Sequence, residues 1–249
     1  MGFLVALYGA VAYVVFLATF VYAIGFTSNL FAPKTIDVGA PLGATGEPLW
    51  WSLLTNVLLL GLFAIQHSVM ARPAFKRWWV RWVPKSAERS TYVLMASGTL
   101  ILLFAHWRPI ATPAWDFRGT VVGYALAVQC ALGWALVLVS TFQIDHFELF
   151  GLKQVWWRLT GRPAPAAEFR TPPLYRHVRH PIYLGFMLAF WSTPSMSLGH
   201  LLFAAATSAY ILIGIWFEER DLVAQFGQRY RDYRARVGML WPRLFGRSE

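Results

Sequence analysis

Long apolar runs without charged side chains are the feature that most constrains this chain. A helix needs about 20 consecutive apolar residues to cross a bilayer, and runs of that kind recur here, beginning with Phe3–Phe26. Only 14% of the 249 residues are charged, whereas a soluble domain usually carries about 25%. Because lipid offers no partner to exposed backbone groups, such runs fold as helices. The sequence therefore predicts an all-α, polytopic transmembrane helical bundle.

Six membrane spans can be placed on these runs. The predicted spans are Phe3–Phe26, Leu49–Ile65 with Met70 as an alternative end, Thr91–Trp107, Gly119–Ile144, Ile182–Leu198 and His200–Phe217. Little more than Gly199 separates the last two, and Pro194 lies inside the first of that pair. We expect this pair to form a tight hairpin that can fall short of full width. Five full spans plus a re-entrant hairpin is the alternative, and residues 1–249 are taken as a single domain.

Lys and Arg residues are distributed unevenly between the loops. Nineteen of the 22 lie in Ala71–Ser90, in Phe142–His180 and in the tail after Phe217. With six spans these segments share one side of the membrane, and the positive-inside rule makes that side the cytoplasm and places both termini there. The net charge of +10 then reflects topology and attraction to anionic membrane lipid, which argues against nucleic acid as a partner.

The tail after the last span carries an amphipathic pattern. Six of its residues recur at steps of three and four, which is typical of one helix face. They are Glu219, Leu222, Phe226, Tyr230, Tyr233 and Val237. The pattern predicts a cytoplasmic C-terminal amphipathic helix. Since a carboxylate on a buried face needs a partner, Glu219 is either locked to an arginine or accepts hydrogen bonds from ligand hydroxyls.

The stretch RHPIYLG, residues 179–185, is predicted to begin a helix at the same cytoplasmic face. Pro181 suits the first helical turn, where its missing N–H has no effect. The free N–H groups of that turn, beside Arg179, form an anion site that suits a carboxylate. Gly185 permits a neighbouring helix to approach closely. A basic membrane flank without a ligand is the alternative.

Two stretches together carry a resemblance to a known family. Arg-His-Pro-x-Tyr-x-Gly begins a helical hairpin, which is followed by Glu-Glu-x-x-Leu, by Phe-Gly-x-x-Tyr-x-x-Tyr and by Pro242. This arrangement, over Tyr175–Pro242, resembles the isoprenylcysteine carboxyl methyltransferase family of integral membrane enzymes. The resemblance implies S-adenosylmethionine as cofactor, bound from the cytosolic side within residues 142–242. The implied cofactor-binding residues are Tyr175, His177, Arg179, His180, Tyr183, Leu184, Glu218 and Glu219.

The upstream part narrows the resemblance. Gln66–Lys76, Glu88–Leu94 and Asp145–Trp156 look like stretches of the bacterial methanethiol S-methyltransferases. This implies a bacterial cytoplasmic-membrane enzyme that methylates methanethiol to dimethyl sulfide, with its active site facing the cytoplasm. A lipid-borne acceptor, such as a prenylcysteine carboxylate or a phospholipid amine, is the alternative substrate. A non-catalytic accessory role like that of the NnrU-like proteins is a further alternative, but those proteins are not expected to carry the Glu-Glu motif.

A thiol acceptor needs a base or a cation beside it, because the thiolate is the reactive species. Histidine has a suitable ordinary pKa, and two histidines lie at cytoplasmic span ends. His146 is preferred as the base over His67, with Asp145 orienting His146 and Arg72 stabilising a thiolate. The resemblance further implies acceptor-side roles for Glu148, Tyr92 and Arg89. Each of these residues also has a structural alternative as an interfacial, capping or topology residue.

Two further expectations concern ligands. A sulfonium can be held by aromatic faces, for which the candidates are Trp156, Trp157, Trp216 and Tyr183. His177 and His180 are three residues apart without an obvious third ligand, so no metal is expected.

Overall fold

Helices dominate the part of the chain that the structure describes. This part comprises residues 2–39, 47–166 and 168–243 of a computed structural model. The helices are α1 (Gly2–Ser28), α2 (Leu49–Ala71), α3 (Pro73–Trp79), α4 (Glu88–His106), α5 (Val121–Ile144), α6 (His146–Leu149), α7 (Leu152–Thr160), α8 (Pro181–Trp191), α9 (Leu198–Phe226) and α10 (Gln228–Arg236). Strands β1 (Pro113–Asp116) and β2 (Ser195–Ser197) form a small antiparallel sheet. The prediction of an all-α membrane bundle is confirmed.

Within the described residues, four helices are long and apolar enough to cross a membrane, namely α1, α2, α5 and α9. They correspond to the first, second, fourth and sixth predicted spans, so the chain is an integral membrane protein. The third predicted span corresponds to α4, which has 19 residues and packs against α1 and α2. Its first turn is polar, because it begins with Glu88 and Arg89.

The fifth helix is shorter than the span predicted for it. The prediction of a helix over Ile182–Leu198 is wrong at its end, because α8 stops at Trp191 and residues Ser195–Ser197 pair with β1 instead. Eleven residues rise only about 16 Å along a helix, which is roughly half of the hydrocarbon core. This geometry matches the expected hairpin that falls short of full width, but only its first arm is short, because the second arm, α9, is long enough to cross a membrane. Pro194 lies just beyond the helix, where its carbonyl accepts a hydrogen bond from the Phe117 amide at 2.8 Å.

The C-terminal tail also departs from the predicted single helix. The last span continues without interruption through Glu219 to Phe226, and the chain then breaks at Gly227, whose φ is +58°. A positive φ favours glycine, and α10 begins one residue later. The predicted stripe still faces inward on both pieces, because Glu219, Tyr230 and Tyr233 are all buried.

Two glycines set the tightest helix crossing, between α5 and α8. A Cβ added to Gly133 would lie 2.6 Å from the Ala189 amide nitrogen, and one added to Gly185 would lie 2.7 Å from the Gly133 carbonyl oxygen. Neither contact is sterically possible, so both positions require glycine. The close approach that Gly185 predicts is confirmed. It fixes α8, which begins at the proline of the Arg-His-Pro motif, against the second half of α5.

Side-chain contacts gather the polar motifs at one end of the bundle. The carboxyl ends of α2 and α5 lie there with the amino end of α4, because His67 bonds to Tyr92 and Arg89 reaches the Leu149 carbonyl. The segment that leads into α8 lies there too, because the Leu174 amide donates to Gln143 near the end of α5 at 3.0 Å. We call this region the polar end. The small β1–β2 sheet lies at the connection that precedes α5 and the one that precedes α9, which form the opposite end.

Candidate functional site

The Arg-His-Pro segment is anchored to the chain that follows α10. The amide of Arg179 donates to the Gly238 carbonyl at 2.9 Å, and the amide of His180 donates to the Met239 carbonyl at 3.2 Å. The Arg179 guanidinium donates to the carbonyls of Val237 and Arg234. These bonds join the start of α8 to the C-terminal segment, although the two are more than 50 residues apart.

Glu219 is the centre of a buried ion cluster. One of its carboxylate oxygens lies 2.7 Å from the Arg179 guanidinium and 3.1 Å from Nε2 of His180, while Arg234 approaches the other oxygen at 3.6 Å. The side chains of Arg179 and Glu219 are only 8% and 11% exposed. The contacts match the arginine-lock interpretation of Glu219. Every nitrogen of the Arg179 side chain is used within the protein, so its binding of a carboxylate stays a prediction.

Glu218 is placed differently from its neighbour. It lies about 100° away on the helix, and its side chain is 43% exposed. One oxygen accepts a hydrogen bond from the Tyr183 hydroxyl at 2.9 Å and lies 3.9 Å from Nδ1 of His180. This arrangement leaves an accessible carboxylate beside an aromatic ring, which can accept hydrogen bonds from a ligand.

Tyr175 provides a second polar group near Glu218. Its hydroxyl is buried and has no hydrogen-bond partner among the described residues. Burial raises the pKa of this phenol, and the negative charge of Glu218 raises it further. Native structures rarely leave a buried hydroxyl unpaired, so a bound ligand or water is the expected partner. Tyr175 is held in place because its carbonyl accepts a hydrogen bond from Tyr233 at 2.6 Å.

His67 lies in a separate cluster formed by α2, α4 and α9. Nε2 of His67 is 2.7 Å from the Tyr92 hydroxyl, and its ring stacks on Phe63. The edge of Tyr210 also faces the His67 ring, with centroids 6.4 Å apart, and the Tyr210 hydroxyl lies 3.1 Å from Oγ of Ser68. Nδ1 of His67 is buried without a partner in the described structure.

Arg89 and Arg72, the two arginines with predicted roles towards the acceptor, border this cluster. The Arg89 guanidinium lies 5.1 Å from the centroid of the Tyr92 ring and donates to the Leu149 carbonyl at 2.6 Å. The Arg72 guanidinium lies over the ring of Phe217 at 4.5 Å and approaches Asp221 at 3.6 Å. Both arginines therefore place positive charge near His67 and Tyr92. Each is also held by the contacts within the protein just described.

His146 lies on the other side of the polar end, between α1 and α5. Its side chain is 5% exposed, and both ring nitrogens have partners at 2.9 Å, Nε2 with the Tyr13 hydroxyl and Nδ1 with Oγ1 of Thr141. The ring stacks on Phe142 with centroids 4.3 Å apart. Burial lowers the pKa of His146, and Asp145 partly opposes this shift. Its proposed role as the base stays a prediction, but neither nitrogen is free.

Asp145 and Glu148 are close in sequence to His146, and the hydrogen bond between them shapes the turn from α5 into α6. The Asp145 carboxylate accepts a hydrogen bond from the Glu148 amide at 3.1 Å, which caps α6, and forms an ion pair with Lys153. The φ of Asp145 is +148°, an unusual value for a residue with a side chain. The Glu148 side chain is exposed. The contacts match the alternative of an Asx-type turn at Asp145.

The remaining predicted residues lie at the margins of these clusters. His177 is exposed, and Leu184 packs with the apolar cluster around Ile211 and Ile215. Trp156 and Trp216 are exposed. Within the described residues no group of three or more His, Cys, Asp or Glu side chains could hold a metal ion.

Three contributors to these clusters were not identified from the sequence. Tyr13 and Thr141 hold His146, and Tyr210 borders His67. All three lie inside apolar helices, where polar side chains most often make interhelical hydrogen bonds. Their positions as polar residues inside membrane runs were the available signal, but that signal does not indicate which partner each one meets.

A basic cavity of about 440 Å³ lies beside the C-terminal segment that bonds to Arg179 and His180. It is lined by Phe169, Thr171, Arg176, Arg229, Tyr233, Arg236 and Val237. Burial raises the pKa of Tyr233 to about 12, and the positive charge of Arg179 opposes that rise. With three guanidinium groups and no carboxylate in its lining, this cavity suits an anionic group.

Comparisons with known proteins give a consistent result. The chain is 54% identical over 243 residues to methanethiol S-methyltransferase 2 of Bradyrhizobium diazoefficiens, an alignment covering 98% of this chain and 92% of that protein. It is 52% identical over 242 residues to methanethiol S-methyltransferase of Mycobacterium tuberculosis, covering 96% of each chain. A more distant relative, nurim of Rattus norvegicus, is 31% identical over 181 residues, 69% of this chain and 68% of that protein.

Two other comparisons found no match. No protein-family model matches the chain, and no solved structure matches it. The relatives in Bradyrhizobium and Mycobacterium nevertheless align over nearly the whole length of both partners. The alignments therefore include the Arg-His-Pro segment, the Glu-Glu pair and both histidine clusters. This chain belongs to the methanethiol S-methyltransferase family, within a wider group of isoprenylcysteine carboxyl methyltransferase-like membrane proteins.

Proposed function

We propose that this protein transfers a methyl group from S-adenosylmethionine to methanethiol, giving dimethyl sulfide, at the polar end of the bundle. The observation that carries the proposal is the near full-length similarity to methanethiol S-methyltransferases. The structure supports it because two sets of groups suited to this reaction lie at the same end. One set surrounds Glu218 and the other surrounds His67.

The groups around Glu218 fit the methyl donor. S-adenosylmethionine supplies a methyl group on a positively charged sulfur, together with ribose hydroxyls and an amino acid end. The free edge of Glu218 can accept hydrogen bonds from hydroxyl or ammonium groups, and the unpaired Tyr175 hydroxyl can donate one. The Tyr183 ring can face a cation. In this proposal Arg179, His180 and Glu219 position the site, while Leu184 and His177 line its margins.

The groups around His67 fit the acceptor. A thiol must lose its proton to react, because the thiolate is the nucleophile. His67 has a free nitrogen for that proton, and Arg89 and Arg72 place positive charge nearby, which favours the thiolate. Exclusion of water by the surrounding rings, together with alignment of donor and acceptor, would contribute several kcal/mol to the rate.

The proposed sidedness follows from charge. Arg72, Arg89, Arg179 and Arg234 all lie at the polar end, and cytoplasmic loops carry the excess of Lys and Arg. We therefore infer that the active site and both termini face the cytoplasm of a bacterium, where S-adenosylmethionine is made.

A single assay tests the proposed function. Purified protein in detergent is incubated with methyl-labelled S-adenosylmethionine and, in separate reactions, with methanethiol, a prenylcysteine analogue or phosphatidylethanolamine. We expect labelled dimethyl sulfide from methanethiol only. Absence of donor binding would exclude every methyltransferase function, and turnover confined to the lipid-borne acceptors would replace the small-thiol substrate with a lipid. The protein with both Glu218→Gln and Tyr175→Phe serves as the control for donor binding.

A further inference from the structure

An apolar groove between α2 and α9 reaches the His67 cluster from the membrane side. Its volume is about 240 Å³, and its lining consists of Val57, Leu60, Gly61, Phe63, Ala64, Ala206, Thr207 and Tyr210. Val57 is exposed on the surface of the bundle, which opens the groove towards lipid. The volume lies below the roughly 300 Å³ at which pockets for drug-sized ligands begin, so the groove suits a very small molecule.

Among the lining residues, groups that are free to hydrogen-bond to a ligand lie at the inner end of the groove. The Thr207 hydroxyl bonds to the Phe203 carbonyl of its own helix at 2.6 Å, so it offers no donor to a ligand. Phe63 and Tyr210 line the groove and also contact the His67 ring, with centroids 5.2 Å and 6.4 Å from the centroid of that ring. A molecule in the groove is therefore separated from His67 by no more than these two rings.

We propose that this groove binds the small apolar thiol as it enters from the bilayer, that the thiol then passes the rings of Phe63 and Tyr210, and that Nδ1 of His67 takes its proton on the inner side of those rings. This inference rests on the proposed function. It identifies the route by which the thiol reaches the site and the residue that removes its proton. The groove offers apolar contact to the alkyl group, and Nδ1 of His67 is a buried nitrogen that has no partner among the described residues.

The proton transfer requires one of the two ring tautomers that the hydrogen bond to Tyr92 allows. In the tautomer in which Nε2–H of His67 donates to the Tyr92 oxygen, Nδ1 carries the free lone pair. The thiol S–H bond then breaks with its proton going to Nδ1, and the resulting thiolate forms the new S–CH₃ bond. The electron pair of the broken donor S–CH₃ bond stays on the donor sulfur, which becomes a neutral thioether. The imidazolium finally returns its proton to water.

Two glycines give a matched pair of variants. A Cβ added to Gly61, in the groove, or to Gly98, on the exposed face of α4, meets no atom within 4 Å. Gly61→Leu fills the groove, while Gly98→Leu adds the same side chain and the same helix propensity elsewhere. We expect the KM for methanethiol to rise about tenfold or more in Gly61→Leu and to stay unchanged in Gly98→Leu. The affinity for S-adenosylmethionine should be unchanged in both.

Selectivity provides a readout that a loss of stability would not produce. Leu60→Ala enlarges the groove, so kcat/KM for propanethiol relative to methanethiol should increase about tenfold. An unchanged ratio, together with an unchanged KM in Gly61→Leu, would overturn the proposal. The thermal midpoint in detergent, measured for each variant, identifies any protein that fails to fold.

A binding measurement separates this proposal from the proposed function. Saturation-transfer NMR on dimethyl sulfide, with donor-free protein in detergent, should give a signal for the wild type and Gly98→Leu that is lost in Gly61→Leu. Equal signals in all three proteins would overturn the groove proposal even if methanethiol is methylated. A groove-dependent signal without any methanethiol turnover would support the groove as a small-thioether site while the proposed function fails.

Discussion

At the polar end, His146 and His67 both lie among aromatic rings, but their nitrogens are used differently. Tyr13 and Thr141 occupy both nitrogens of His146, so that ring has no capacity left for a ligand. Tyr92 occupies one nitrogen of His67, and the other is buried and unpaired within the described structure. The same contrast separates Glu219, which is enclosed by Arg179, His180 and Arg234, from the half-exposed Glu218.

This contrast teaches which polar groups stabilise the fold and which are available for chemistry. Leaving a buried polar group unpaired is unfavourable by about 1–3 kcal/mol, and such groups are rare unless they serve a purpose. The saturated members of each pair join distant segments of the chain. Of the unsaturated members, His67 lies beside rings that line the apolar groove, and the Glu218 side chain is 43% exposed and open to a ligand.

The largest expected effect is on turnover in His67→Ala. Removal of a general base typically lowers the rate about 10²–10⁴-fold, and we expect a loss of dimethyl sulfide formation in that range with unchanged donor affinity. Gas chromatography of the product measures it. His106→Ala, at the opposite end of the bundle, serves as the control and should keep the wild-type rate. If a folded His146→Ala protein loses more turnover than His67→Ala, the contrast between the two histidines is wrong.

The next largest effect is a loss of stability in Glu219→Gln, which contrasts with a loss of donor affinity in Glu218→Gln. Glu219→Gln leaves the buried Arg179 charge without its partner, and breaking a buried pair in this way destabilises proteins by about 3–5 kcal/mol. We expect a clear drop in the thermal midpoint in detergent. Glu218→Gln should keep the midpoint and bind S-adenosylmethionine more weakly. A stable Glu219→Gln protein with weakened donor binding would instead make Glu219 the ligand acceptor.

The sequence predicted the helices and the motifs better than the contacts between them. Apolar run length located α1, α2, α5 and α9, because lipid imposes that length on a spanning helix. The predicted fifth span ran past Trp191 because Ser192–Leu198 carries no charge. Pro194 and its Ser and Thr neighbours were a signal for an earlier end, and pairing with β1 removes Ser195–Ser197 from the helix. Likewise, the stripe from Glu219 to Val237 did not reveal the break at Gly227.

The candidate site shows the same limit. Every predicted residue at the Arg-His-Pro segment lies at the polar end, but the sequence left open whether Glu219 pairs with protein or with ligand. That choice depends on where Arg179 points, which is fixed by carbonyls more than 50 residues away. The preference for His146 over His67 rested on local density of polar residues. The partners that distinguish them, Tyr13 and Thr141, lie on other helical segments.

A smaller effect is expected from Tyr13→Phe, which removes one hydrogen bond from His146 and keeps the ring. A single hydrogen bond contributes about 1 kcal/mol, so the unfolding midpoint should fall slightly while turnover changes little. Tyr8→Phe removes the comparable bond to Thr91 between α1 and α4 at 2.9 Å and is the matched control. A loss of turnover that greatly exceeds the loss of stability would show that His146 has a direct part in the reaction.

The smallest effect is the pH dependence that His146 contributes to stability. Burial lowers its pKa in the folded protein, below the ordinary value of about 6.5. Between the two values the unfolded chain binds more protons, so the stability due to this group is fully present above about pH 6.5 and is lost as the pH falls through the lowered value. The difference in thermal midpoint between the wild type and His146→Gln should therefore shrink from about pH 7.5 to about pH 5. A difference that grows on acidification would mean that the folded protein favours the charged ring, and His146 would then be poised to hold a proton.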